Sequence, residues 1–438
     1  MRLIADLHIH SRFSRACSKD LTLGNLEAWA MTKGIDILAT GDFTHPQWFA
    51  EIEQELEPAE EGLFRLKEGL KVKAGSGTSG VAGTAPVPPD APDVRFILST
   101  ELSCIYKKGG RTRRIHLVVL APDREAVRRI IGELDRRGCN LKSDGRPILG
   151  LDAEEVVRLV RQADDDCLVI PAHAWTPWFS LFGSESGFDS IEECFGGMTP
   201  HIHAIETGLS SDPPMNWRLS ALDDIMLVSN SDAHSTRKLG REANVFDLET
   251  LGYEALIDVL RKRQRDRLLF TIEFFPEEGK YHADGHRNCG YVCGPEETAR
   301  QGGICPRCGK ELTRGVLGRV HELADRGSGE RSPQAVGFRH IVPLEEVIAD
   351  TLGKTPASKA VRLAYQETIE TLGSEFSVLL DVPIERVSSL AGIRLAEAIS
   401  RVREGRISVR PGYDGVFGQV KVFEDEAPPA GRQAALDL

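Results

Sequence analysis

No apolar run in these 438 residues approaches the ~18 that a membrane-spanning helix needs. The opening residues, Met1 to Asp6, pass directly into polar chemistry and lack the apolar stretch of a signal peptide. Both absences point to a cytoplasmic protein with no membrane partner. Net positive charge is also missing, since the formal charge is −12. As an average this argues against nucleic acid, whose phosphates need positive charge nearby. Local patches decide binding, however. Three basic clusters stand at 107–114 (KKGGRTRR), 261–267 (RKRQRDR) and 401–410 (RVREGRISVR), although each alone also reads as solvated surface. Aromatic residues make up only 6% of the chain. The nine cysteines are scattered or closely paired, which favours metal binding over a disulfide framework.

What is present is enough chain for two or three domains, with 41% hydrophobic and 27% charged residues, as a globular protein requires. Residues 1–275 alternate short apolar runs with helical periodicity. Strands are expected at 3–5, 35–39, 95–99, 168–170, 204–205 and 225–228, and helices at 152–163 and 253–263. Residues 71–93 break this rhythm. They are rich in Gly, Ala, Pro and Ser and read as a flexible insertion; no lysine and helix follow their glycines, so they make no phosphate cradle. Composition shifts near Pro276. Residues 276–332 hold four cysteines, many glycines and little periodicity, so a fold there needs a staple. Residues 333–425 return to helical patterns at 344–351, 357–372 and 393–402, and 426–438 form a tail. The segment Gly353-Lys354-Thr355 suggests a nucleotide-binding loop, but Ile348 stands where its first glycine must be, so no nucleotide cofactor is expected.

Polar residues cluster where the apolar runs end. The first run ends in Asp6-Leu7-His8-Ile9-His10, and alternation puts both imidazoles on one side of the extended chain. The second ends in Thr40-Gly41-Asp42-Phe43-Thr44-His45, the third leads to Glu101, another to Pro171-Ala172-His173, and the last to Asp232-Ala233-His234. His116 instead begins an apolar run. Segments 100–106 and 113–120 flank Gly109-Gly110 as a hairpin, which brings His116 towards Glu101. In parallel α/β barrels such strand ends share one mouth. About five imidazoles and two or three carboxylates suit two or three divalent ions, which activate water and stabilise the charge of a phosphoryl displacement. Nitrogen and oxygen ligands without thiolate favour Zn, Mn or Fe over Mg alone. A single histidine after a strand is usually a satisfied core or surface residue; two alternating pairs after apolar strands are harder to reach by chance.

The pairs His286/Cys289 and Cys305/Cys308 have the spacing of a closed, structural zinc site, with Cys293 and His282 as alternative fourth ligands.

The runs DLHIHS, TGDFTH, STE with IHLVVL, PAH and SDAH resemble the polymerase-and-histidinol-phosphatase superfamily of phosphoesterases. The resemblance implies an α/β fold: a distorted seven-stranded (β/α) barrel holding up to three metals, followed by a small zinc-binding domain and a mainly helical C-terminal domain. It implies His8, His10, Glu101, His116, His173, Asp232 and His234 as metal ligands, with Asp232, His234, His10 and Glu101 in catalysis. Two departures predict a weakly held or absent ion at one position. Arg15 and Ala16 stand where a His or Asp is usual, and Asp42 and His45 replace an Asp-His dipeptide. His45 is favoured as the ligand there, and Asp42 as ligand or orienter.

The segments around the cysteine pairs, 176–183, 187–196 and 411–418 resemble the endonuclease Q family over nearly the whole chain. This implies a metal-dependent DNA repair endonuclease cutting 5′ to uracil, hypoxanthine, xanthine or an abasic site. Its expected cofactors are divalent Zn, Mn, Fe or Mg at the catalytic centre and a structural Zn. Its expected partners are DNA with damaged bases and, by extension, a sliding clamp or other repair proteins. The alternatives are a small-molecule phosphatase of the histidinol-phosphatase kind and a non-catalytic lesion binder. Trp175, Trp178, Phe179 and Phe182 follow His173 and suit either base stacking or core packing. Residues 390–399 resemble half of a helix-hairpin-helix turn without its second glycine.

Overall fold

The computed structural model describes residues 1–71, 85–89, 91 and 93–424. Most of the insertion expected at 71–93 and the tail expected at 426–438 lie outside the described residues. The strands are β1 Arg2–Asp6, β2 Ile37–Ala39, β3 Leu56–Pro58, β4 Phe64–Leu66, β5 Arg95–Lys108, β6 Arg111–Ala121, β7 Leu168–Pro171, β8 Ala204–Glu206, β9 Met226–Val228, β10 Ala243–Asp247 and β11 Leu268–Glu273. They are followed by β12 Asp284–His286, β13 Tyr291–Cys293, β14 Gly337–His340, β15 Ser408–Arg410 and β16 Gln419–Lys421.

The main ladder runs β14-β11-β10-β1-β2-β5-β4-β3, and β6 and β7 continue from β5. Strands β1, β2 and β5 are parallel neighbours. The β5–β6 hairpin is antiparallel and turns at Gly109 and Gly110, whose φ of 61° and 75° fit a two-residue turn that a side chain would strain. Strands β8 and β9 pair with each other in parallel as a separate ladder.

Single bonds tie this pair into the rest. Ala174 N donates to Glu206 O (3.0 Å) beyond β7, and Asp232 N donates to His8 O (2.9 Å) beyond β1. The side chain of Asn244 on β10 bonds the backbone of Ser229 in both directions, at 2.9 and 2.7 Å. The expected ring of seven strands is therefore not one continuous ladder. Its last joins are isolated bonds and side chains, concentrated where β1, β8 and β9 end.

Helices cover the outer faces. Thr22 caps Leu23–Lys33, which stops at Gly34, and Asp152 caps Ala153–Ala163. Buried apolar residues from Leu3 through Phe423 form one connected core, so the C-terminal helices share it. Strand β14 adds to β11 in parallel, with Phe270 opposite Gly337. Helices Leu344–Leu352, Lys359–Leu372, Ile384–Ala391 and Ile393–Arg403 follow it. Helix Val316–Leu323, which follows β12–β13, is anchored to the segment after β7 through Arg319, a buried cation that donates to Phe182 O (3.0 Å), Phe188 O (3.1 Å) and Asp189.

Candidate metal centre and its cavity

His8 and His10 leave β1 with their rings 5.5 Å apart, edge to face. His8 Nε2, His10 Nε2 and Asp232 Oδ1 are buried without a hydrogen-bond partner. An orphaned buried polar atom is costly, and three that converge are what a metal ion would satisfy. His10 Nε2 lies 3.0 Å from Asp232 Oδ1 and 3.2 Å from Glu101 Oε2; His8 Nε2 lies 3.6 Å from Glu101 Oε2 and 3.8 Å from Asp232 Oδ1. Ligand atoms at 2.0–2.2 Å around a tetrahedral ion stand about 3.3–3.6 Å apart, so the residues fit one.

Glu101 turns its other oxygen to a second group. Oε1 is 2.7 Å from His116 Nδ1 and 3.0 Å from His173 Nε2, and those nitrogens are 3.3 Å apart. One buried carboxylate is thus shared by two sets of ligand atoms, as a bridge between two ions requires.

The far nitrogen of each ring is held. His8 Nδ1 is 3.0 Å from both oxygens of Glu206, and His10 Nδ1 is 3.0 Å from Asp42 Oδ1. His116 Nε2 is 3.1 Å from Ser103 Oγ, and His173 Nδ1 is 3.3 Å from Thr176 Oγ1. Such partners fix which nitrogen faces a metal. Burial opposes protonation of His8 and His10. The carboxylates Glu206 and Glu101 beside His8, and Asp42 beside His10, outweigh it and hold both well above the ordinary imidazole range. Burial takes His116 down to about 4. Burial would raise Glu101, but His116, Arg146 and His8 keep it well below the carboxylate range. Backbone strain gathers at the same place: Asp42, His173, Phe179 and Asp232 have φ of 48°, 31°, 64° and 46°.

Three expected ligands take other positions. Both oxygens of Asp42 are engaged, Oδ1 by His10 and Oδ2 by Ser11 N and Oγ at 2.7 Å, so Asp42 orients His10. His45 stands outside either group, at the start of helix Pro46–Glu55; its ring stacks on Phe13 with centroids 4.4 Å apart, and its buried Nδ1 has no hydrogen-bond partner. His234 lies at the rim, its ring 4.7 Å from that of His10 and its Nδ1 2.8 Å from Asp232 O.

The sequence reading missed Glu206, Ser103 and Arg146. Glu206 ends β8 as the foreseen ligands follow their strands, and that position is its signal. Arg146 comes from an irregular loop with no signal, and its Nη1 donates to Glu101 Oε2 at 3.0 Å.

A cavity of about 810 Å³ opens over these groups. His116, His173, Glu206 and Asp232 line it together with Trp178, Phe179, Tyr281 and Phe417. Of the four expected aromatics, Trp175 and Phe182 are buried core against each other, at 4.7 Å.

His286, Cys289, Cys305 and Cys308 form a third group, each ligand atom within 4.8 Å of the others. Cys308 Sγ is 3.3 Å from His286 Nδ1. Burial would raise the Cys305 thiol, but backbone N–H groups of Arg307 and Cys308 bring it down to about 7, close to the thiolate that zinc binds. Cys293 instead pairs with Thr298 Oγ1 at 3.3 Å, and His282 lines the cavity, so neither joins the set.

A family profile described as the MJ0043 C-terminal domain matches residues 343–406. The protein MJ0043 of Methanocaldococcus jannaschii is 33% identical over 269 residues, which are 60% of this chain and 33% of that protein, so the chain spans about a third of that relative. The solved lesion-specific endonuclease PfuEndoQ from Pyrococcus furiosus has a TM-score of 0.81 at 31% identity, covering 96% of this chain and 95% of its own. An endonuclease Q solved with a 27-mer duplex carrying an abasic lesion at the active site has a TM-score of 0.80 at 31% identity, covering 100% of both chains. Matched from end to end at this identity, the chain belongs to the endonuclease Q family.

Proposed function

We propose that this protein is a metal-dependent DNA repair endonuclease that cuts the strand 5′ to a deaminated base (uracil, hypoxanthine or xanthine) or an abasic site. The observation that carries the reading is Glu101, shared by two converging groups of ligand atoms beneath the cavity. The full-length likeness to an endonuclease Q solved on an abasic duplex supports the choice of substrate. Residues 1–275 would do the chemistry. Residues 276–332, with a zinc held by His286, Cys289, Cys305 and Cys308, and residues 333–425 would hold DNA.

His8, His10, Glu101 and Asp232 would hold one divalent ion, and Glu101, His116 and His173 a second. When bound, such ions activate a water and neutralise charge on the phosphate. Glu206 and Asp42 aim the imidazoles. Arg146 holds Glu101 and adds a positive charge at the cavity wall. In the net reaction the water oxygen bonds to phosphorus and the bond from phosphorus to the 3′-oxygen breaks. The 3′-oxygen leaves with the electron pair and gains a proton from the water, giving 3′-hydroxyl and 5′-phosphate ends.

Oligonucleotides with uracil, hypoxanthine, xanthine, an abasic site or no lesion, incubated with protein loaded with Zn, Mn or Mg, test this. Nicks only 5′ to the lesions are expected, and Asp232→Asn should lower the rate by at least about 10³-fold with an unchanged circular dichroism spectrum. Hydrolysis of small phosphate esters alone, or retention of lesion DNA without a nick, would refute the reading.

A further inference from the structure

Phe417 is 72% exposed and Ile148 60% exposed, and both line the cavity over the ligand groups. Singly scattered apolar side chains are ordinary on a surface; two that line one cavity offer an apolar face to whatever enters it.

Both are held in place. Phe417 sits in the loop 411–418 that closes the β15–β16 hairpin, where Arg410 pairs with Gln419. That loop is fastened along its length. Gly412 N donates to Glu277 O (2.7 Å), Gly415 N to Lys280 O (2.8 Å) and Gly418 N to Glu278 O (3.1 Å). Asp414 accepts from Arg287 N and from Thr313 Oγ1, each at 2.7 Å. A Cβ on Gly418 would stand 2.0 Å from Glu277 O, so only glycine lets the chain lie this close beside Phe417. On the opposite wall, Ser103 N donates to Pro147 O (3.0 Å) and Leu149 N to Ser103 O (2.9 Å), which pins the backbone around Ile148 to β5.

The occupant follows from the surroundings. Lys280 Nζ stands 5.8 Å from the centre of the Phe417 ring, and Arg15, Arg146, Lys238 and Arg241 line the same cavity beside the carboxylates Asp144, Glu206, Asp232, Glu278 and Glu346, so a cation accompanies the apolar tip. That pairing suits a ligand with flat apolar faces strung on phosphates. We propose that Phe417, assisted by Ile148, inserts into the base stack of duplex DNA and fills the gap left when the lesion nucleotide leaves it. This rests on the endonuclease reading above and names the residues that make it work on double strands. Bases stack on aromatic faces whatever their sequence. A single strand has no gap to fill, so the ring matters only in duplex.

The test compares wild type with Phe417→Ala, Phe417→Leu and Ile148→Ala on one uracil oligonucleotide, single-stranded and annealed. Phe417→Ala should cut the duplex about 10- to 100-fold more slowly and the single strand within about 3-fold of wild type. Phe417→Leu should fall between, and Ile148→Ala should show a smaller loss of the same kind. With 2-aminopurine beside the uracil in duplex, stopped-flow fluorescence should rise before cleavage with wild type and stay low with Phe417→Ala. Equal slowing on both DNA forms, or an undiminished fluorescence rise, overturns the proposal. If the wild type nicks neither form, the endonuclease reading itself fails and the proposal falls with it. Single-strand cutting by Phe417→Ala keeps the two failures apart and shows that the variant folds.

Discussion

Glu206 touches no gap between ligand atoms, yet it decides where they point. Its oxygens meet His8 Nδ1, accept from His173 N at 2.9 Å and accept from Asn230 Nδ2 at 2.8 Å. Glu206→Gln keeps the shape and turns one acceptor into a donor, which conflicts with a bonded Nδ1–H. It should weaken metal binding about 10- to 100-fold, measured by chelator competition, while far-ultraviolet circular dichroism stays as in wild type. The pair His8 and His10 was legible because two ligand types at alternate positions after a strand are unusual. A lone Glu after β8 carries the same positional signal without a companion. His45 shows the reverse case: its position suggested a ligand, but its ring lies against Phe13, outside both groups of converging atoms.

The β5–β6 hairpin was readable from its two glycines, but the register was not. Ser103, and not Glu101, stands opposite His116, and Glu101 reaches the imidazole from the diagonal position. Strands β10 and β11 were not foreseen, since Asn244 and Glu273 put buried polar groups into short runs. Helix Leu23–Lys33 carries a similar hidden group. Glu27 is buried with Oε1 unpartnered, and burial pushes its carboxyl up to about 7 although Lys71 pulls it back. Unfolded, it titrates near 4.5. Between these values the folded state binds more protons, so the stability it contributes at low pH is lost as pH rises through 7. Urea titrations should find wild type losing about 2–3 kcal/mol from this group between pH 5 and 8. Glu27→Gln, which has nothing to titrate, should lack that part of the slope.

Across the whole molecule, one buried carboxylate links the C-terminal helices to helix Leu23–Lys33. Glu375 Oε2 accepts from Lys33 Nζ and from Tyr365 Oη at 2.6 Å each, and its Oε1 accepts from Leu344 N at 3.0 Å. Removing one partner of a buried pair strands the other charge. Glu375→Ala should cost about 3–5 kcal/mol in urea unfolding. The alternation of strands and helices, the polar residues at the strand ends and the spacing of the two cysteine-bearing pairs could be written down from the sequence, because periodicity and spacing are local. Which oxygen of Glu101 serves which group, that Asp42 aims His10, that Arg146 enters from a loop, and that Phe417 from the far end of the chain meets the same cavity as Asp232 were decided only by the tertiary structure. Those are distances between residues far apart in sequence, set by how the layers pack, and no local pattern encodes them.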